Sequence, residues 1–129
     1  MPDVLIEVKG SWLGQGKAQF IEAIHVALVE TLRTPSEDKV LRLVEYAAED
    51  FVTPPPMSGK FTHIEVTMFA GRSGETKRAL YKAIVRNLEP FGVPPEEVKV
   101  VLLEVTSENV GLRGGKAASD VDLGYEIHV

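Results

Sequence analysis

One order of signals occurs twice in this 129-residue chain. Residues 4–8 alternate Val4, Ile6 and Val8 against Leu5 and Glu7, the period of a strand. Three glycines and Trp12 interrupt that pattern over residues 10–16, and the period then becomes helical. Over residues 17–32, Phe20, Ile21, Ile24, Ala27, Leu28 and Leu32 share one face, with Lys17, Gln19, Glu22 and Glu30 elsewhere. Thr34-Pro35-Ser36-Glu37 then carries a capping residue, a proline at the first helical position and a glutamate three residues on. That pattern predicts one short helical turn, followed by a strand over residues 40–45.

The second pass starts at residues 61–69, where Ile64, Val66 and Met68 alternate as a strand. Residues 71–74 break it, and Ser73 is a suitable N-cap for the helix whose apolar stripe is Ala79, Leu80, Ala83, Ile84, Leu88 and Phe91. Residues 93–97 match 34–38, and an apolar strand follows over 98–105. A shift of 59 positions lays Pro35 on Pro94, Glu37 on Glu96, Leu43 on Leu102 and Glu45 on Glu104. The repeat predicts a single α/β domain over residues 1–129, with a first β-α-β unit at about 2–46 and a second at about 61–106. Pro54, Pro55 and Pro56 mark the connection between them. The tail, 107–129, reads as a glycine-rich turn near residues 111–115 and a last short strand or hairpin near 121–127. Two such units make a four-stranded mixed sheet with two helices on one face. The uncovered face calls for oligomerisation.

Several function classes drop out. A net charge of -5 disfavours general nucleic-acid binding, which needs a basic face. With no cysteine there is no disulfide scaffold, thiol nucleophile or thiolate metal site. No apolar run approaches the length that spans a bilayer, and the N-terminus lacks the pattern of a signal peptide, so a cytoplasmic location is the expectation.

Four residues are candidates for chemistry. Removal of Met1 from Met1-Pro2 would leave Pro2 with a free secondary amine. An α-amine titrates near about 8, and burial or a neighbouring cation lowers it to a useful general base. The bland alternative is that proline at position two is commonplace. Arg72 stands between a strand end and a helix start, where it could grip a carboxylate; otherwise it is a solvated loop arginine. Asp38, just past the Thr34-Pro35 turn, could orient water or polarise a reacting group, or simply answer a helix dipole as the matching Glu97 would. His25 lies beside the apolar stripe of the first helix and reads more readily as a structural histidine. His63 and His128 have no companions at metal-ligand spacing, which leaves no metal expected.

Met1-Pro2, the residue 34–38 turn, Ala70-Gly71-Arg72-Ser73 with Lys77, and the glycine-rich tail together resemble the tautomerase superfamily. The nearest branch is the fused one that includes malonate semialdehyde decarboxylase-like and cis-3-chloroacrylate dehalogenase-like proteins. The resemblance implies a homotrimer without cofactor that acts on a small carboxylate substrate. Within it, Pro2 serves as base, acid or nucleophile, Arg72 binds the carboxylate, Asp38 works beside the proline, and His25 contributes to substrate binding. Phe69 and Ala70 flank the place where decarboxylases and dehalogenases carry a second arginine, and Val110 and Leu112 replace aromatic wall residues. Three functions follow: tautomerisation of a 2-oxo or enol acid, hydration or decarboxylation in the same pocket, and a non-catalytic trimeric scaffold.

Overall fold

The computed structural model describes residues 1–129. Its element order is β1 (Asp3–Lys9), α1 (Lys17–Leu32), β2 (Val40–Tyr46), β3 (Thr62–Phe69), α2 (Gly74–Leu88) and β4 (Val98–Val105). A minimal hairpin follows, β5 (Gly111–Leu112) with β6 (Lys116–Ala117). The main sheet runs β2-β1-β3-β4, with β1/β2 and β3/β4 parallel and the central pair β1/β3 antiparallel. Each β-α-β unit is therefore a parallel crossover, and the two meet back to back at their first strands. The expected fold class is the one observed.

Alternation decides which face is dry. Val4, Ile6 and Val8 of β1 and Ile64, Val66 and Met68 of β3 are sealed beneath Phe20, Ile24 and Leu28 of α1 and Leu80, Ile84 and Leu88 of α2. Burying side chains of this size contributes roughly 1.5–3 kcal/mol each, so this layer carries most of the stability. At one end of the layer Phe20 meets both Trp12 and Phe91 edge-on, with centroids 5.6 and 5.1 Å apart. The two units also share an ion-pair device. Lys17 pairs with Glu45 at 2.9 Å in the first, and Lys77 pairs with Glu104 at 2.9 Å in the second. In each case a lysine near the start of the helix reaches the end of the second strand. No helix is long and apolar enough to cross a membrane.

Three local expectations need correction. Residues 34–38 form a hydrogen-bonded turn, Asp38 N–H to the Pro35 carbonyl at 3.1 Å, and not a helical turn; the Thr34 hydroxyl is buried without a partner and caps nothing. Only the second-half counterpart, Pro95–Glu97, winds into a 3-10 helix. In the tail the hairpin falls at residues 111–117, where Arg113, Gly114 and Gly115 all take positive φ, and residues 121–127 contain no strand. Those last residues instead run as a strap back to α2. Its end is tied there: the Ser73 and Thr76 hydroxyls donate to the Val129 carbonyl at 3.1 and 2.6 Å.

Candidate active site

The first strand starts at Asp3, so Pro2 is held by the sheet and is itself buried. Met1 lies in a cavity of about 470 Å³ that is also lined by Pro35, Asp38, Phe69, Leu112, Arg113 and Tyr125. Two side chains of the cavity hold the polar groups of Met1. Its ammonium donates to Asp38 Oδ1 at 3.3 Å, and its carbonyl oxygen accepts from the Tyr125 hydroxyl at 3.0 Å. The Met1 carbonyl carbon is bonded directly to the Pro2 nitrogen, about 1.33 Å away. That nitrogen therefore sits at the wall of the cavity, and only Met1 stands between it and the space.

Asp38 reaches this position because the Pro35 turn brings the chain from the end of α1 to the start of β2, whose Val40 pairs with Asp3. Its counterpart in the second unit, Glu97, is buried and accepts from the Ser58 hydroxyl at 2.7 Å. The two matching carboxylates thus have different work: one faces the N-terminus, while the other closes a loop.

Arg72 departs from the solvated loop residue that the sequence suggests. It is only 6% exposed, and its guanidinium donates to the carbonyls of Phe69 and Leu32, both at 3.3 Å. Burial pushes its pKa down, while the nearby Tyr125 and Glu104 pull it back up. It does not line the cavity, but its charge acts on Tyr125. The Tyr125 hydroxyl is pushed up, first by burial and then by the Asp38 charge, with Arg72 acting in the opposite sense. The cation that does line the cavity is Arg113, exposed at φ 49, with one hydrogen bond to the Asp122 carbonyl at 3.0 Å.

His25 is not part of this cavity. It is buried, and its Nε2 lies 2.8 Å from the Ser36 carbonyl, a partner that can only accept, so Nε2 carries the proton. Its contact pins the turn two residues before Asp38. His63 does have companions: β1/β3 register sets it opposite Glu7, and with Glu65 their ligand atoms lie within 4.8 Å of one another on the sheet face away from the helices. Glu7 is already engaged there, accepting from His63 at 3.1 Å and from the Tyr46 hydroxyl. A larger opening of about 630 Å³ lies between the helices, among Gln19, Glu22, Val26 and Arg86, and offers no histidine, hydroxyl or terminal amine.

Tyr125 and Arg113 are the residues that sequence reasoning missed. Neither belongs to a periodic element, and both enter the cavity through the fold of the tail.

The doubled β-α-β units hold Pro2 buried at the start of β1, with a carboxylate and a phenol on the polar groups of the preceding Met1. Residues 38–113 match the family model described as "Tautomerase enzyme", and the chain belongs to that family. Probable tautomerase YusQ of Bacillus subtilis (strain 168) is 24% identical over 123 residues, covering 91% of this chain and 97% of the relative. The solved FG41 malonate semialdehyde decarboxylase inhibited by 3-bromopropiolate is 26% identical, with a TM-score of 0.82 over 90% of this chain and 92% of that one. A fused 4-OT (Q0), solved as a symmetric trimer, shares the fold at 24% identity with a TM-score of 0.82, over 92% of this chain and 97% of that one. The protein is accordingly an enzyme of the tautomerase family.

Proposed function

We propose that this enzyme moves a proton within a small 2-oxo or enol carboxylic acid, with the Pro2 amine as the base and acid. The observation that carries this reading is the place of Met1: it lines a cavity of substrate size with its amine on Asp38 and its carbonyl on Tyr125, and its loss would open that cavity toward the Pro2 nitrogen. The neutral amine takes the proton of the enol hydroxyl, or of the carbon beside the ketone. The resulting prolinium returns it at the other position, so a C–H bond replaces an O–H bond or the reverse. Arg113 meets the carboxylate at the mouth of the cavity. Arg72, proposed from the resemblance for that contact, does not line the cavity and acts on Tyr125 by its positive field: Nη1 and Nη2 hold two carbonyls, while the Nε–H is buried without a partner.

A second reading is favoured by one distance. Asp38 Oδ1 lies 3.3 Å from the Met1 nitrogen, which is three bonds from the Pro2 nitrogen, and in this reading it works with a cationic prolinium on water or a carbonyl. That arrangement would give hydratase or decarboxylase chemistry, the second being the activity named for the solved relative. The assembly proposed with either reading is a homotrimer like that of the fused 4-OT, with the open sheet face inside it.

The test compares protein lacking Met1 with protein that retains it, using an enol such as phenylenolpyruvate and an acetylenic acid. Ketonisation only by the processed form supports the first reading, and hydration only by the processed form supports the second. Equal activity of the two forms would sink both.

A further inference from the structure

We propose that Tyr125 is a catalytic residue, whose hydroxyl donates a hydrogen bond to the ketone oxygen of the substrate as that oxygen gains enolate charge. This inference rests on the Pro2 reading above and adds to it the group that receives the charge. Four observations lead to it.

Tyr125 already performs this contact on a carbonyl in the cavity. Its hydroxyl donates to the Met1 carbonyl oxygen at 3.0 Å, and that oxygen belongs to the group bonded to the Pro2 nitrogen. Loss of Met1 removes the acceptor and leaves the donor pointing at the space in front of the amine. A 2-oxo acid fits that space with its C3 carbon at the amine and its C2 oxygen toward the phenol. When the amine takes a proton from C3, the C–H bond breaks, an N–H bond forms, and the electron pair moves onto the C2 oxygen. A donor fixed near that oxygen stabilises the charge without itself giving up its proton.

The phenol is also held in the state that the role needs. Burial and the Asp38 charge keep the hydroxyl protonated, so it remains a donor throughout the pH range in which an amine base works. Its neighbours complete the polarity of the site. Asp38 and Arg113 line the cavity with it, and Arg72, outside the lining, acts on the phenol by its charge.

The strap that carries it is anchored at both ends of its approach. Beyond Tyr125, the chain crosses Gly71 so closely that a Cβ there would lie 2.9 Å from His128 Nδ1 and 3.2 Å from the Ile127 carbonyl. Val129 is tied to Ser73 and Thr76, and before Tyr125 the Asp122 carbonyl accepts from the Arg113 guanidinium at 3.0 Å. The hydroxyl is therefore positioned by backbone contacts on either side and not by a free tail.

The experiment uses full-length protein processed to Pro2, with phenylenolpyruvate as substrate and 2-oxo-3-pentynoate as a label. Addition of the Pro2 amine to the alkyne of this label places charge on its ketone oxygen, and the adduct is read by mass spectrometry. Tyr125→Phe should lower kcat on the order of a hundredfold and slow labelling of Pro2 by a similar factor, with KM little changed. Equal kcat and equal labelling in Tyr125→Phe and the parent would overturn the role of Tyr125 while leaving Pro2 as the base. A parent protein that is neither labelled nor active would remove the Pro2 reading itself.

Discussion

The guanidinium of Arg72 closes the C-terminus of α1, donating across forty positions of sequence to the carbonyl of Leu32 at 3.3 Å. That carbonyl is among the last of the helix, where no intrahelical donor is available, and a buried cation suits the negative end of the helix dipole. The chain leaves α1 at this point because Arg33 takes a left-handed conformation, φ 58, with its N–H on the Val29 carbonyl at 3.1 Å. Thr34 and Pro35 then lead into the turn that presents Asp38. One arginine of the second β-α-β unit thereby holds the exit of the first and the floor behind the cavity.

Arg72→Ala should therefore destabilise the fold, by about 2–4 kcal/mol, since two carbonyls lose a charged donor and a buried space opens. A solvated loop arginine, as the sequence suggests, would predict almost no change. Arg72→Lys keeps the charge but not the fork that spans both carbonyls, and should recover only part of the loss. Urea unfolding at fixed slope decides between these outcomes, and an unchanged midpoint in Arg72→Ala would refute the structural role.

Arg113 offers the opposite separation of effects. It is exposed, lines the cavity and sits at a positive φ that glycine adopts without strain. Arg113→Gly should leave stability unchanged or slightly raised while raising KM for a carboxylate substrate about tenfold, the scale of one lost charged contact. Steady-state kinetics beside a thermal melt tests both halves. An unchanged KM would return the carboxylate to another partner.

The open sheet face carries a pH-dependent pair. The Tyr46 hydroxyl donates to Glu7, and this bond, more than the neighbouring His63, holds the Glu7 carboxyl below its ordinary 4.5 against the cost of burial. A lowered folded value means that the contribution is complete above about pH 4.5 and is lost as pH falls through the folded value. Tyr46 is the converse. Its pKa is raised above 10.0, chiefly by the bond to Glu7, so its contribution is complete below pH 10 and fades as pH rises past the higher folded value. Tyr46→Phe should flatten the acid limb: its urea midpoint should fall less than the parent's between about pH 6 and about pH 3. Parallel curves would show that the bond does not couple to folding.

Periodicity made most of the frame legible. The 3.6-residue stripe from Phe20 to Leu32 marks α1 to its observed ends, and the run of branched residues from Val98 to Val105 marks β4 likewise. The repeat itself foretold the mixed sheet, because two parallel crossovers that share a core must meet along their first strands. Pro2 and Asp38 were legible as candidates since both lie next to strand starts, where register fixes their place. Arg72 was legible as a position but not as a buried group, because its partners, Leu32 and Phe69, are set by packing between the two units. Tyr125 carried no signal. Its segment reads as a last strand or hairpin over residues 121–127, which the structure does not form, and its contact with Met1 joins opposite ends of the sequence.

The last prediction concerns that open face. Val40, Val44 and Leu103 are 49%, 38% and 45% exposed, and β-alternation places all three on the side of the sheet that no helix covers. They lie on β2 and β4, the two outer strands, so a partner approaching either edge meets apolar surface. A single copy leaves these side chains in water, whereas a ring of three sheets around an axis would bury them. Each would then add on the order of 1 kcal/mol per subunit by area alone. Light scattering should give three times the 14.1 kDa of the chain at micromolar concentration. Leu103→Asp should shift that mass toward the monomer, because a carboxylate in the shared apolar layer would be desolvated without a partner. Activity per chain should fall with the assembly if a neighbouring copy helps close the cavity over Arg113, and should not if each cavity is complete alone. A parent protein that remains monomeric at these concentrations would rule out the ring.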